Sequence, residues 1–269
     1  MSEAIDYNSA RAKAGDLPAS TLQWLDTLGG VERYQRAVLL DPDGKCGPNT
    51  QRSAERKIAE GWAPDVMLDL SHWQREPDWN AVAASGVGGV YLKATQGATG
   101  RDRTFAPRHA IARRAGLRVG AYHFATGASV DKQVAHFVEQ LRGVECGGLV
   151  PVLDLESYPK GRDANEFAHE FVELMSDAGH ECALYTYLSF WSQRLAHDAL
   201  PLVPLWIARY NGALYDGAAG ERMQRELGAQ IKAWQTTYKG GEWPGVPGRV
   251  DVNLLTTEGL DPFIAEATA

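Results

Sequence analysis

Val152-Leu153-Asp154-Leu155-Glu156 sets two carboxylates into an otherwise apolar run. Residues two apart on a strand point to one side, so Asp154 and Glu156 are expected to face the same lumen. The run itself extends from Leu149 to Leu155, and similar short apolar runs flank it. Upstream are Val66 to Leu70, Val87 to Leu92 and Leu117 to Phe124. Downstream are Cys182 to Tyr185, Pro204 to Ala208, Ile231 to Trp234 and Val250 to Leu254. Helical periodicity fills the early gaps, at Trp79 to Ala84, Phe105 to Ala115, Val130 to Leu141 and Glu166 to Ala178. Near-continuous apolar strands alternating with helices predict an α/β fold with a parallel sheet covered on both faces. Eight such strands predict closure into a (β/α) TIM-like barrel. Beyond Tyr185 the connections look less helical, so the barrel is expected to be irregular, with fewer helices than strands.

The first 62 residues read differently. Thr21 to Leu28 and Val31 to Leu40 carry apolar residues at helical spacing, with Leu22, Leu25 and Leu28 on one face. Gly29-Gly30 separates them, and Asp41-Pro42-Asp43-Gly44 is turn chemistry. Pro48 can open a third helix that runs through Ile58 and stops at Gly61, and Pro64 marks a boundary. The expected organisation is a small helical region over 1–62 and a barrel domain over 63–269. Asn211 to Gly220 reads as a surface loop.

Composition narrows the function. Hydrophobic residues make up 44% and charged residues 23% of 269, which excludes wholesale disorder. A formal net charge of −7 repels phosphate backbones, so nucleic acid is not expected as a partner. Eight Trp, ten Tyr and seven Phe supply faces that suit sugar rings as well as cores. Cys46, Cys146 and Cys182 are odd in number and far apart, which suggests neither a disulfide framework nor a metal knuckle; they read as inert thiols. The start of the chain has no apolar signal segment and no run is long enough to span a membrane, so a cytoplasmic start and no membrane insertion are expected. A monomer is expected.

Active sites of such barrels lie at the C-terminal ends of the strands. Asp69, in Met67-Leu68-Asp69-Leu70-Ser71-His72, and Asp251, in Val250-Asp251-Val252-Asn253, join Asp154 and Glu156 there. Carboxylates on apolar strands are costly unless used or compensated. Crowding and burial raise one pKa, giving an acid and a base from one residue class, which suits glycosidic bond cleavage. A structural carboxylate pair held by backbone hydrogen bonds or a cation is the alternative reading. No His-x-His or HExxH pattern accompanies the acids, so no metal and no cofactor are expected.

Asp69-Leu70-Ser71-His72-Trp73-Gln74 resembles the opening strand motif of glycoside hydrolase family 25, the muramidases. Further matches follow in order: Lys93-Ala94-Thr95-Gln96-Gly97, Gly120-Ala121-Tyr122-His123-Phe124, Asp154-Leu155-Glu156, Pro204-Leu205-Trp206-Ile207-Ala208, Trp234-Gln235 and Val250-Asp251-Val252-Asn253. The resemblance runs from about residue 65 to 260. It implies hydrolysis of the β-1,4 bond between N-acetylmuramic acid and N-acetylglucosamine in bacterial peptidoglycan. It implies Glu156 as general acid, with Asp69, Asp154 and Asp251 as the other active-site carboxylates. Gln96 stands where the family usually has Glu, which predicts altered binding or local charge, not lost chemistry. Trp234-Gln235-Thr236-Thr237-Tyr238 departs from the usual Trp-Gln-Tyr and leaves the place of Tyr238 open. Retaining, inverting and substrate-assisted courses all stay open. With no signal segment, the resemblance suggests a phage endolysin that waits in the host cytoplasm and then reaches the cell wall. An inactive wall-binding barrel and a hydrolase of another aminosugar polymer such as chitin are the rivals.

Tyr122, Trp206, Lys93, Gln96 and Trp234 are the expected substrate contacts, with Trp206 at the floor of the groove. Lys93 could pair with Asp69 or Asp154. Trp73 could stack on a sugar or belong to the core, and His123 is open between support of the site and a surface position. His109, His136, His169, His180 and His197 read as surface residues. Asp43-Gly44-Lys45-Cys46-Gly47-Pro48-Asn49-Thr50 resembles the turn of the helical peptidoglycan-binding module, with Cys46 in place of the usual Phe. A helical cap without wall affinity is the other reading of this region.

Overall fold

A computed structural model describes residues 2–27, 31–37, 40–41, 43–59, 66–144, 148–157, 162–195, 203–209, 224–229, 231–235, 241–255 and 260–265. Gly29-Gly30, Pro64, Cys146, His197, the expected loop Asn211 to Gly220 and Tyr238 lie outside them. The chain divides into two compact units, one built on Met1–Pro64 and the other on Asp65–Asn211 with Tyr215–Ala269.

The smaller unit holds α1 (Ser2–Lys13), α2 (Ala19–Thr27), α3 (Val31–Ala37) and α4 (Pro48–Ala59). Three of these follow the sequence pattern; α1 does not, because its face is weakly apolar. Leu17, Leu25, Val31, Tyr34, Cys46 and Ala54 form its core. The turn before α4 is held by one amide. Gln35 Nε2 donates to Asp43 Oδ1 at 2.9 Å and to Lys45 O at 3.0 Å, while Gly44 N donates to Gln35 Oε1 at 2.8 Å. Asn8 in α1 accepts from Cys46 N at 2.7 Å.

The larger unit opens with β1 (Val66–Leu70), α5 (Trp79–Ala84), β2 (Gly89–Gln96), β3 (Gly100–Arg101), α6 (Phe105–Arg114) and β4 (Arg118–Phe124). It continues with α7 (Val130–Arg142), β5 (Val152–Asp154), α8 (Ala164–Asp177), β6 (Ala183–Tyr187), α9 (Leu188–Arg194) and β7 (Leu205–Ala208), and ends with β8 (Ile231–Gln235), β9 (Gly241–Trp243) and β10 (Val246–Leu255). The sheet order β1-β10-β8-β7-β6-β5-β4-β2, with β1 pairing β2, closes an eight-stranded barrel. Short β3 and β9 hang from β2 and β10.

The barrel is mixed, not wholly parallel. β10 runs antiparallel to both β1 and β8. A parallel return needs a crossover of a dozen or more residues. Here a hairpin turn at Pro244-Gly245 reverses the chain, with Gly245 at φ +83°.

The lumen below the mouth is filled, as small barrels require. Tyr91, Trp206, Tyr185, Met67, Val152 and Phe263 pack there. Large side chains face small ones. A Cβ on Gly120 would lie 2.2 Å from the Tyr91 ring, so only glycine fits beside it. Tyr91 Oη donates to Val150 O at 3.0 Å, which satisfies its buried hydroxyl.

Candidate active site

Each barrel strand delivers its side chains to one end. Asp69 lies near the end of β1, Tyr122 and Phe124 near the end of β4, Asp154 at the end of β5 and Glu156 just after it. Tyr185 on β6, Trp206 on β7 and Gln235 on β8 complete the ring. Asp251 reaches the same mouth by a different route. Since β10 is reversed, its early residues, not its last ones, stand there, and Asp251 pairs in register with Asp69. Together these groups, with Trp73, line a cavity of about 270 Å³.

A chain of hydrogen bonds crosses the cavity floor. Trp206 Nε1 donates to Asn253 Oδ1 at 3.0 Å, and Asn253 Nδ2 donates to Asp69 Oδ2 at 2.9 Å. Gln235 Nε2 donates to the same oxygen at 3.1 Å, and Tyr185 Oη donates to Gln235 Oε1 at 2.8 Å. Tyr185 Oη also lies 3.5 Å from Glu156 Oε1. That hydroxyl is thus placed to donate to either Gln235 or the Glu156 carboxylate.

The three inner carboxylates are driven toward the neutral form to different degrees. Burial pushes Asp69 upward, opposed by the amides of Asn253 and Gln235. Burial pushes Asp154 well above the usual range, and the charge of Glu156 adds to this. Asp154 Oδ1 is buried with no hydrogen-bond partner among the described residues. Glu156 is raised by burial and then by Asp69, with Tyr185 and Lys93 opposing. Asp69 is thus the carboxylate best provided with donors, and Asp154 and Glu156 are the ones most ready to hold a proton.

The turn after β1 presents Trp73, which is 80% exposed at the cavity rim. Buried Arg108 on α6 holds that turn. It donates Nη1 to Ser71 O and Nη2 to Gln74 O, each at 2.7 Å, and pairs with Glu76 at 3.0 Å. Asp102 accepts from His72 N and faces His72 Nδ1, both at 2.8 Å. Neither Arg108 nor Asp102 stood out in the sequence, because each lies far along the chain from the turn it secures. Tyr185 was likewise hidden inside an apolar run, and only its hydroxyl separates it from a core residue.

Several sequence expectations need correction. Trp234 is buried outside the cavity lining; strand alternation turns its neighbours Ala233 and Gln235 to the lumen instead. Trp206 lines the cavity from beneath, with its ring against Tyr91 and Tyr185 at 5.4 and 5.0 Å. Lys93 makes no ion pair with Asp69 or Asp154. Its Nζ donates to Gln96 Oε1 at 2.8 Å and sits 4.6 Å from the centre of the Phe124 ring. Gln96 itself is exposed and lines a neighbouring cavity. Tyr122 lines the main cavity, its hydroxyl kept protonated by burial and then by Asp69. His123 is wholly buried, between Thr95 Oγ1 at 2.7 Å and Gln133 Oε1 at 3.2 Å, with burial holding its pKa down to about 4. His109 and His136 are buried as well. Burial raises the Cys46 thiol to about 11 and Cys182 to about 12, so neither is a nucleophile. Among the described residues no cluster of His, Cys, Asp and Glu fits a metal ion.

Known proteins resemble this chain in sequence and in fold. Residues 68–246 match the family described as glycosyl hydrolases family 25. The autolytic lysozyme of Clostridium acetobutylicum is 30% identical over 148 residues, 53% of this chain and 44% of that protein. Lysozyme M1 of Streptomyces globisporus is 27% identical over 172 residues, 58% of each. The chain therefore spans about half the length of these curated relatives. The crystal structure of the CTP1L endolysin superposes with a TM-score of 0.60 at 25% identity, covering 73% of this chain and 68% of that one.

Proposed function

The chain belongs to the glycosyl hydrolases of family 25, and from that premise we propose that it hydrolyses the β-1,4 bond between N-acetylmuramic acid and N-acetylglucosamine in bacterial peptidoglycan. The observation that carries this reading is the meeting of Asp69, Asp154, Glu156 and Asp251 in one cavity beside the exposed ring of Trp73. Glu156 is the general acid, since its carboxyl is raised and half-exposed at the mouth where a leaving oxygen would lie. Asp69, anchored by two amide donors, supplies negative charge against the developing oxocarbenium ion. Asp154, with an unused buried acceptor, suits the N–H of the 2-acetamido group. Asp251 orients the neighbouring acids. Trp73, Tyr122 and Lys93 contact the sugars.

Digestion tests this directly. New reducing ends on muramic acid are expected from peptidoglycan. Free amines without reducing ends would mean peptide or amide cleavage and overturn the reading. Preferential release from chitin would favour another aminosugar polymer, and binding without any cleavage an inactive barrel.

Residues 1–62 serve as a wall-binding module in this reading. The independent core around Tyr34 and Cys46 and the Gln35-held turn before α4 support it. A chain shortened to begin at residue 63 should cleave soluble glycan and hold intact walls less well; equal retention would leave a structural cap. Likeness to an endolysin supports lysis of a host wall by a phage enzyme held in the cytoplasm until release. A cavity lined by one chain supports action as a monomer, which sedimentation would check.

A further inference from the structure

A second cavity of about 430 Å³ opens beside the first, and its chemistry differs. His72, Lys93, Gln96, Arg101, Thr99 and Thr126 surround it, with the backbone of the β2–β3 turn. Lys93 lines both cavities. The main cavity carries Trp73, Tyr122, Phe124, Tyr185 and Trp206. The second carries no ring apart from His72 and is edged by donors, two cations and the single carboxylate of Asp102. Flat apolar faces suit pyranose rings, whereas ammonium, guanidinium and hydroxyl groups suit carboxylates and peptide carbonyls.

The cations here are open to a new partner. Lys93 Nζ rests on the neutral amide of Gln96, with no carboxylate in ion-pair range among the described residues. Arg101 pairs with Glu139 at 2.9 Å, but both are more than half exposed, and exposed pairs are weak. Asp102 also lines the cavity and offsets one of these positive charges, but it offers no free oxygen to a ligand donor. Burial works to raise it, yet hydrogen bonds from Thr104 and His72 hold it below its ordinary value, and its two oxygens are taken up by those donors.

We propose that this second cavity is a subsite for the stem peptide of muramic acid, taking a peptide carboxylate on Arg101, Lys93 and His72 while the glycan lies along the main cavity. The proposal rests on the peptidoglycan reading above. It adds that the protein reads the peptide arm as well as the sugar chain, so wall peptides with free carboxylates are the preferred substrate.

The test uses soluble, uncrosslinked peptidoglycan chains, half of them with their stem-peptide carboxylates converted to amides. Glycan and lactyl group are then identical, and new reducing ends are counted. The wild-type protein should cleave the native chains more efficiently than the amidated ones. Arg101→Ala on β3 and Thr99→Glu on the turn before it, both exposed, should each lower the native-to-amidated ratio of kcat/KM by about 3- to 5-fold, the worth of one partly exposed ion pair. Thr99→Lys should keep the ratio at or above that of wild type. A wild-type ratio of one, or a ratio unmoved by both Arg101→Ala and Thr99→Glu, overturns the subsite. Absence of reducing ends from either chain would overturn the muramidase reading and the subsite with it, an outcome distinct from cleavage without preference.

Discussion

Gln235 Nε2 donates to Asp69 Oδ2 over 3.1 Å, joining β8 to β1 although β10 lies between those strands. The same side chain accepts from Tyr185, so one amide links the anion to the hydroxyl beside Glu156. Gln235→Leu removes both bonds while keeping the volume. The Asp69 carboxyl then loses a group that lowers its pKa, and ionisation requires a higher pH. The acidic limb of the rate profile should move upward in pH, with activity reduced by about 10-fold, as for the loss of a hydrogen bond to a charged group. Wall-clearing rates across pH measure it; an unmoved limb would separate Gln235 from the control of Asp69.

Glu156→Gln keeps the shape but has no proton to give. Activity should fall by at least about 10²-fold with an unchanged melting temperature. Asp69→Asn and Asp154→Asn should also lose activity, and Asp251→Asn should lose less. Normal clearing by Glu156→Gln would move the acid to another of the four carboxylates.

Trp73 is too exposed to hold the fold together, so Trp73→Ala should leave thermal melts alone and raise KM roughly 3- to 10-fold, the worth of one aromatic contact. Arg108→Lys cannot reach both Ser71 O and Gln74 O, so it should lower the melting temperature and raise KM too. Since Arg108 acts on KM through the turn that carries Trp73, the two KM losses should not multiply in the double variant. Independent, multiplying losses would detach Arg108 from the platform.

His123 makes stability depend on acid. Its folded pKa near 4 lies below the ordinary value of 6.5, so between those values the unfolded chain binds the extra proton. Its contribution is complete above pH 6.5 and falls away toward pH 4, on the order of 3 kcal/mol at most. The raised carboxylates act in the opposite direction, so the comparison must be paired. His123→Gln should start less stable and lose less stability than wild type between pH 7 and 4.5 in denaturant melts. Parallel curves would show that His123 takes no part in the acid response.

The barrel was legible because its strands are short apolar runs and its acids interrupt or end them, as Asp154 does between Leu153 and Leu155 and Glu156 does after Leu155. The direction of β10 was not, since period-two alternation reads the same forward and backward; only Pro244-Gly245 marks the reversal. Trp234 was misplaced by one step of that alternation. Tyr185, Arg108 and Asp102 were missed for a shared reason. Each works through a partner 30 or more residues away, or through a single polar atom on a side chain that otherwise fits the core.

β1, the first strand of the barrel, finds one of its two neighbours in β10, the last, with Val66 opposite Leu254. During synthesis the sheet therefore keeps two raw edges, on β1 and β8, until residue 255 has left the ribosome. Asp251 arrives on that closing strand, so the four acids first meet only once it has been made. Until then the site lacks one of its four acids, and the unpaired edges can template other strands. Pairings of such long sequence separation form slowly, which makes the closing strand the step at which this barrel is most exposed to aggregation.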